Sequence, residues 1–239
     1  MAKDRLKGIE IIYEDRDILV IDKPPKLLTI ASATEREKTA YHILTDYVRK
    51  GCARSPRRIF VVHRLDRDTS GIVIFAKTPA AKNCLQDQWD KTEKRYLAVV
   101  YGQLPEKSGV ITSYLAENAA HVVYSTQNAS IGKLSTTVFR VLKETRDFSA
   151  LEIDLATGRK NQIRVHLAEK GHPVVGDAKY GRKSRMHKRM ALHARSISFL
   201  HPGSGKRIVL EAKIPACFAS LVGNISLPPL EPTQRIVRP

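Results

Sequence analysis

A charged segment of nine residues, 63–71, separates two apolar runs and limits what this part of the chain can form. The runs, residues 59–62 and 72–76, are short and rich in β-branched and aromatic side chains, which is typical of strands. The pattern predicts a strand, a charged loop and a second strand. Asp66 lies among arginines in this loop. Because nearby positive charge lowers the pKa of a carboxyl group, Asp66 is our first candidate for a nucleophile.

The net charge of the chain indicates its partner. With 239 residues, 42% of them hydrophobic, the chain can bury a core as an ordinary soluble globular protein. Its 41 lysines and arginines exceed its 24 acidic residues by 17, and they recur along the whole sequence. A folded basic surface of this kind attracts nucleic acid. An anionic membrane is the alternative, but no strongly amphipathic basic helix is evident to bind it.

The cysteines and the apolar stretches indicate in which cellular compartment the protein is expected. Cys52, Cys84 and Cys217 are odd in number and far apart, so they offer neither a disulfide framework nor the paired spacing of a zinc site. The amino terminus is charged, with no apolar core behind it, unlike a secretory signal. Prolines interrupt the uncharged stretch at 214–230, which therefore cannot form a membrane helix. We expect a cytoplasmic protein with no membrane partner and no metal.

Apolar periodicity and turn residues predict helices among many short strands. Strands with such short connections favour an antiparallel or mixed sheet, and so an α+β fold. The predicted strands are two within 9–23 and others near 95–101, 109–115, 121–126, 134–143, 148–156, 190–200 and 207–214, and the predicted helices are 39–50, 78–90, 159–170 and a short one after Pro215. Thr39 and Thr78 are predicted to cap the first two helices, and Gly171 to end the third.

A second polar constellation, residues 157–166, opens the third predicted helix. Arg159, Lys160 and Arg164 place positive charge near the amino terminus of this helix, where it opposes the helix dipole. An anionic partner must compensate for that charge. Either a carboxylate such as Asp66 or an RNA phosphate would serve.

Two other classes of enzyme that use aspartate pairs, aspartyl-phosphate phosphatases and metal-dependent nucleases, fit residues 63–71 poorly. Aspartyl-phosphate phosphatases need a threonine two residues after their second aspartate, but the residue two positions after Asp68 is Ser70. A metal-dependent nuclease would need more acids, and Asp177 is the only other loop carboxylate in a motif-like context. Asp68 is instead expected to stabilise the turn, and Tyr96, on a predicted strand, would by itself be expected in the core.

Several segments together resemble the RluA-type pseudouridine synthases in order and in spacing. They are residues 63–71, 94–96, 157–166, 171–177, 180–181 and 191–194. The resemblance extends from about Tyr13 to Pro215. It implies an isomerase that breaks the glycosidic bond of a uridine in RNA, turns the base and rejoins it through carbon 5, without cofactor or metal.

The resemblance also implies roles for individual residues. Asp66 corresponds to the nucleophile, Arg164 to the arginine that pairs with it, and Tyr96 to the tyrosine that packs against the target base. Arg64 corresponds to the residue that helps displace the base from its stack, and Leu192 to part of the apolar pocket wall. Whether Asp66 attacks the ribose or the base stays open. The predicted RNA-binding residues are His63, Arg64, Arg159, Lys160, Gln162 and Leu192.

The predicted organisation is a bent mixed, mainly antiparallel sheet flanked by helices. We expect a single catalytic domain over residues 1–227 and a Pro-rich tail at 228–239. Many relatives carry a small RNA-binding S4 domain first, and the start near Ile9 leaves no room for one, so we expect a short form, acting as a monomer. The family usually has histidine where this chain has Asn161. The alternative function is an RNA-binding protein or RNA chaperone without turnover.

Overall fold

The computed structural model describes residue 6 and residues 8–32, 35–181 and 186–227. Runs of two or more strands are separated by single helices in these ranges and the fold is α+β, which confirms the predicted class. The strands are β1 (Glu10–Glu14), β2 (Ile18–Lys23), β3 (Phe60–Val61), β4 (Ser70–Ala76), β5 (Glu93–Tyr101), β6 (Ser108–Glu117), β7 (Val123–Thr126), β8 (Lys133–Glu144), β9 (Phe148–Leu155), β10 (Leu192–Leu200) and β11 (Arg207–Glu211). The helices are α1 (Ala40–Val48), α2 (Pro79–Asp87), α3 (Gln162–Glu169) and α4 (Ala216–Val222).

The described residues divide into two compact units. Unit 1 contains those up to Thr92 together with Ala194–Lys213, and unit 2 contains Glu93–His193 and those from Ile214 onward. The single catalytic domain over residues 1–227 stays a prediction. The predicted tail, residues 228–239, lies outside the described residues.

Unit 1 is built around two strands that are buried almost throughout. Its strands lie in the order β1, β2, β4 and β10, with β3 beside β4 and β11 beside β10. Every residue of β4 is buried, as are residues 18–21 of β2, so these apolar runs form the centre of the unit. The predicted first strand of the charged motif is only two residues long, and its Val61 pairs with Phe75 near the end of β4. The connection carrying Asp66 therefore returns along the length of β4.

Unit 2 is an antiparallel sheet with a helix packed on it. Its strands lie in the order β5, β9, β8, β6 and β7. Helix α3 contributes Ile163 and Leu167 to a buried apolar cluster that also contains Ala98 and Ile153 of the sheet. The helix ends at Glu169, and Gly171 beyond it takes the left-handed conformation (φ 85°) that closes the last turn.

The residues before the first turns of the helices decide where α1, α2 and α3 begin. Thr39 and Thr78 cap α1 and α2 as predicted, each accepting a hydrogen bond from the backbone N–H three residues on. Helix α3 begins at Gln162, three residues later than predicted, because Asn161 lies in the left-handed region (φ 54°, ψ 15°) and interrupts the helical backbone. None of the helices in the described ranges is both long enough and apolar enough to span a membrane.

Candidate active site

Asp66 lies in unit 1 on the loop that joins β3 to β4, and it is partly buried. We call residues 62–69 the Asp66 loop. The residue before Asp66 is Leu65, whose backbone N–H donates to the Thr29 hydroxyl (3.2 Å) and whose carbonyl accepts from the same hydroxyl (3.0 Å). The residue after it is Arg67, whose carbonyl accepts a hydrogen bond from Lys23 Nζ (3.2 Å). The backbone on each side of Asp66 is therefore held by a polar side chain.

Lys23 is fully buried although it is charged in its ordinary state. Its Nζ also donates to the carbonyls of Pro24 (3.0 Å) and Leu27 (2.8 Å). Burial lowers the pKa of Lys23 to about 7, against the opposing effect of the negative charges of Asp68, Asp66 and Asp22. Sequence reasoning missed this residue, because a lysine at the end of a strand is usually exposed.

His63 and Arg64 begin the polar part of the Asp66 loop. His63 Nε2 accepts a hydrogen bond from the backbone N–H of Ile74 (3.0 Å), and its ring lies on that of Trp89 with centroids 4.6 Å apart. These contacts give the imidazole a structural role within unit 1. Arg64 is exposed, as its predicted RNA contact requires.

Arg164, in unit 2, is the centre of a second polar cluster. Its guanidinium forms a two-pronged ion pair with Asp177, with Nε–Oδ2 at 2.7 Å and Nη2–Oδ1 at 2.8 Å. The side chains of both residues are almost wholly buried. Nη1 also donates to Asn161 Oδ1 (3.0 Å), and the guanidinium lies over the ring of Tyr180, 5.0 Å from its centroid. The position of Arg164 is therefore fixed by a carboxylate, an amide and an aromatic face.

Asp177 is a site residue that the sequence did not assign. Burial raises the pKa of its carboxyl, but the hydrogen bonds and charge of Arg164, with the N–H groups of Tyr180 and Lys179, lower that pKa overall. The carboxylate therefore stays ionised beside Arg164. The available signal was its place in the 171–177 segment of the resemblance, directly before the 180–181 pair.

Asn161 and Tyr180 extend this cluster. Asn161 Nδ2 donates to the Tyr180 hydroxyl (3.0 Å), which also accepts from the backbone N–H of Val123 on β7 (3.0 Å). The amide of Asn161 thus joins Arg164 to Tyr180, a contact that uses both ends of the side chain. Asn161 stands where the family usually has histidine, and asparagine tolerates the left-handed backbone that this position takes.

Gln162 is buried rather than exposed to a partner. Its Nε2 donates to the Thr136 carbonyl and to Thr137 Oγ1, both at 2.9 Å, and its Oε1 accepts from Thr157 Oγ1 (2.8 Å) and Arg159 N (3.0 Å). Both ends of the amide are thus bound within unit 2. These contacts hold the 157–161 loop against β8.

A chain of hydrogen bonds continues from Gln162 along α3. Thr137 Oγ1 contacts His166 Nδ1 (2.9 Å), His166 Nε2 contacts Ser113 Oγ (3.0 Å), and Ser113 Oγ contacts Ser125 Oγ (2.9 Å). The chain ends where Ser125 donates to the Glu169 carboxylate. Since each hydroxyl donates once along this path, His166 carries its proton on Nε2 and accepts at Nδ1. Burial lowers the pKa of His166 to about 4, which keeps the imidazole neutral.

The remaining predicted residues of unit 2 fall into two groups. Leu192 is buried in the apolar cluster of α3, and Tyr96, half-buried on β5, packs against that cluster. Arg159 and Lys160 are exposed on the loop before α3, with Lys160 Nζ paired to Glu117. Asp66, His63 and Arg64 belong to unit 1, whereas Tyr96, Arg164 and Leu192 belong to unit 2. The pairing of Asp66 with Arg164 stays a prediction.

One group of potential metal ligands occurs in the described ranges, Asp15, Asp17 and His201 of unit 1. The Asp15 carboxylate accepts hydrogen bonds from the N–H groups of Asp17 (2.8 Å) and Ile18 (2.9 Å), from the Tyr13 hydroxyl (3.0 Å) and from His201 (2.7 Å). Those contacts account for both carboxylate oxygens. The group closes the turn between β1 and β2 and needs no ion for its geometry.

Comparison with known proteins agrees with the sequence motifs. Residues 17–169 match the family described as RNA pseudouridylate synthase. The chain is 36% identical over 218 residues to YhcT of Bacillus subtilis, an uncharacterized RNA pseudouridine synthase, which covers 89% of this chain and 71% of that protein. It is 32% identical over 228 residues to ribosomal large subunit pseudouridine synthase D of Zymomonas mobilis, covering 87% of this chain and 69% of that protein.

A solved structure supports the same assignment. Human RNA pseudouridylate synthase domain containing 1 has a TM-score of 0.75 and 26% identity, covering 94% of this chain and 92% of that one. The matches define the class of the protein, an isomerase that modifies RNA. Within that class the chain belongs to the RNA pseudouridylate synthase family, which confirms the RluA-type resemblance of its motifs.

Proposed function

We propose that this enzyme converts specific uridines of structured RNA to pseudouridine, with the Asp66 carboxylate as nucleophile. The bond between ribose C1′ and N1 of the base breaks, the bond from C1′ to C5 forms, C5 loses a proton and N1 gains one, so the composition of the RNA is unchanged. The bond that the carboxylate forms, to the ribose or to the base, breaks again within the same cycle and frees Asp66. The observation that carries the proposal is the position of Asp66, between two backbone anchors in the motif most specific to the family.

The other residues take roles around this step. Arg164, which Asp177 holds in place, is proposed as the arginine that pairs with the nucleophile. Tyr96 is proposed to stack on the target base and Arg64 to help displace it, because a base must leave its stack before the enzyme reaches it. Leu192 belongs to the apolar cluster against which Tyr96 packs. For Gln162 and His63 we propose positioning roles instead of RNA contacts, since the Gln162 amide and Nε2 of His63 bind within the protein.

The substrate class follows from charge and from the relatives. The +17 surface suits a large folded RNA. Because the relative in Zymomonas mobilis is a ribosomal large subunit synthase, we propose ribosomal RNA as the substrate, with transfer RNA as the alternative. The free thiols of Cys52, Cys84 and Cys217 fit a reducing compartment, and we propose that the enzyme acts in the cytoplasm as a monomer.

The test is to incubate Asp66→Asn with large-subunit ribosomal RNA and with transfer RNA that lack pseudouridine, and to separate the nucleosides after digestion. The matched control is Asp87→Asn, a change of the same chemistry on an exposed aspartate of unit 1 at the end of α2. We expect Asp66→Asn to form no pseudouridine and to bind RNA as the native enzyme does, while Asp87→Asn keeps turnover. Turnover by Asp66→Asn would refute the nucleophile. Binding without turnover by the native protein would instead favour the RNA chaperone.

A further inference from the structure

We propose that Thr29 and Lys23 are positioning residues that fix the backbone on the two sides of Asp66 and thereby aim its carboxylate. The proposal rests on the proposed nucleophilic role of Asp66. It concerns residues that lie outside the charged motif at 63–71.

The Thr29 side chain binds both backbone polar groups of Leu65, the residue before Asp66. Its hydroxyl accepts from Leu65 N–H and donates to Leu65 C=O, so a single side chain fixes Leu65 at its two backbone polar groups. Thr29 is 1% exposed and therefore has no water to replace these bonds. Its own carbonyl accepts from Tyr41 N–H (3.1 Å), which ties it to the first turn of α1. The anchor is therefore attached to a rigid element.

Lys23 holds the residue after Asp66. Three backbone carbonyls, those of Pro24, Leu27 and Arg67, surround its Nζ at 2.8–3.2 Å. An ammonium group has three donors and can satisfy all three acceptors at once, whereas a neutral amine has two. Two of the carbonyls belong to the segment that leads to Thr29. The third is the only one of the three in the Asp66 loop, so the lysine joins that loop to the 24–29 segment.

The two anchored residues lie directly on either side of Asp66, so the anchors can affect the direction of its carboxylate. Leu65 and Arg67 are the immediate neighbours of Asp66, so fixing their peptide groups restricts the backbone dihedral angles on which the direction of the Asp66 side chain depends. A nucleophile displaced by about 1 Å can lose on the order of 100-fold in rate. Loss of one anchor should therefore slow the chemical step without removing any group that contacts RNA.

The test uses Thr29→Val, which has nearly the same shape but no hydroxyl, under single-turnover conditions with enzyme in excess. We expect the rate constant to fall roughly 10- to 100-fold, while the Kd for RNA changes less than about twofold. The matched control is Thr45→Val, because Thr45 is also a buried threonine of unit 1 and its hydroxyl has no hydrogen-bond partner among the described residues. Its rate constant should stay at the native value.

Two further variants keep the result decisive if Thr29→Val folds poorly. Thr29→Ser retains the hydroxyl and should restore most of the rate. Lys23→Met removes the second anchor and should lower the rate constant with little change in Kd. A native rate constant in both Thr29→Val and Lys23→Met would overturn the proposal, as would equal losses in Thr29→Ser and Thr29→Val. Turnover by Asp66→Asn would refute the proposed function itself, whereas an inactive Asp66→Asn beside native rate constants in both Thr29→Val and Lys23→Met would refute the anchors alone.

Discussion

Arg164 and Asp177 form a buried ion pair in which both carboxylate oxygens face the guanidinium, at 2.7 and 2.8 Å. The carboxylate oxygen that binds Nη2 also accepts from two backbone N–H groups of the turn after Asp177. The arrangement places a positive charge in the interior of unit 2 with its direction fixed. A residue proposed to act on a nucleophile needs this fixed direction more than it needs the charge alone.

Asp177→Asn should therefore destabilise the protein and slow turnover together. The amide cannot neutralise Arg164, and breaking a buried ion pair costs about 3–5 kcal/mol of unfolding free energy. Urea denaturation measures the stability and pseudouridine formation measures the turnover. The control is Glu10→Gln, which removes an exposed pair with Lys213 and should cost less than about 1 kcal/mol. Equal stability losses in the two variants would contradict the role of the pair.

His166 predicts a dependence of stability on pH. Burial lowers the pKa of His166 in the folded protein to about 4, below the ordinary value of 6.5 in the unfolded chain. Between these values the unfolded chain binds more protons, so this residue makes stability fall as the pH falls from 6.5 to 4, by at most about 1.4 kcal/mol per pH unit. Above pH 6.5 and below pH 4 it contributes no slope.

The measurement compares the native protein with His166→Gln by urea denaturation at several pH values. We expect the advantage of the native protein over the variant to shrink steadily as the pH is lowered through the window. An advantage that stays constant from pH 6.5 to 4 would contradict a buried neutral imidazole.

The sequence predicts the elements that depend on local signals. Threonine caps, a glycine after α3 and buried apolar strands are all present as expected. The start of α3 is predicted three residues early, because Asn161 takes the left-handed conformation, in which its amide binds Arg164 and Tyr180. The contact with Tyr180 joins residues 19 positions apart and leaves no local pattern.

In the candidate site too, the contacts that depend on tertiary structure could not be predicted from the sequence. The opposition between cations and the helix dipole predicts an anionic partner, for which the sequence offers Asp66 or an RNA phosphate. The structure pairs Arg164 with Asp177, which the dipole argument has no means of identifying, and the pairing with Asp66 stays a prediction. The sequence analysis places Gln162 among the RNA-binding residues. Its burial follows from the close approach of β8 and α3, which periodicity does not reveal.

Asn161 offers a test that separates backbone strain from side-chain contacts. Asn161→Ala loses the bonds to Arg164 and Tyr180 and places a side chain that disfavours positive φ in the left-handed region, whereas Asn161→Gly loses the same bonds without that strain. We expect Asn161→Ala to be less stable than Asn161→Gly by about 1 kcal/mol. Turnover should fall by similar factors in both. A much faster Asn161→Gly would mean that the amide does not position Arg164.

Arg159 and Arg164 should separate RNA binding from chemistry, although only five positions divide them. Arg159 is exposed on the loop before α3, so binding of a phosphate there contributes to affinity through release of counterions. Arg159→Ala should reduce the slope of log Kd against log salt concentration by about 0.7–0.9 for each phosphate that the variant no longer neutralises, and leave the single-turnover rate constant at saturation near the native value.

Arg164 is buried in its ion pair with Asp177, so Arg164→Ala should leave that slope unchanged and abolish most of the turnover. The salt dependence of RNA binding and the saturated rate constant are measured for both variants. The same shift of salt slope in Arg164→Ala as in Arg159→Ala would mean that Arg164 binds a phosphate, and its proposed role beside the nucleophile would be wrong.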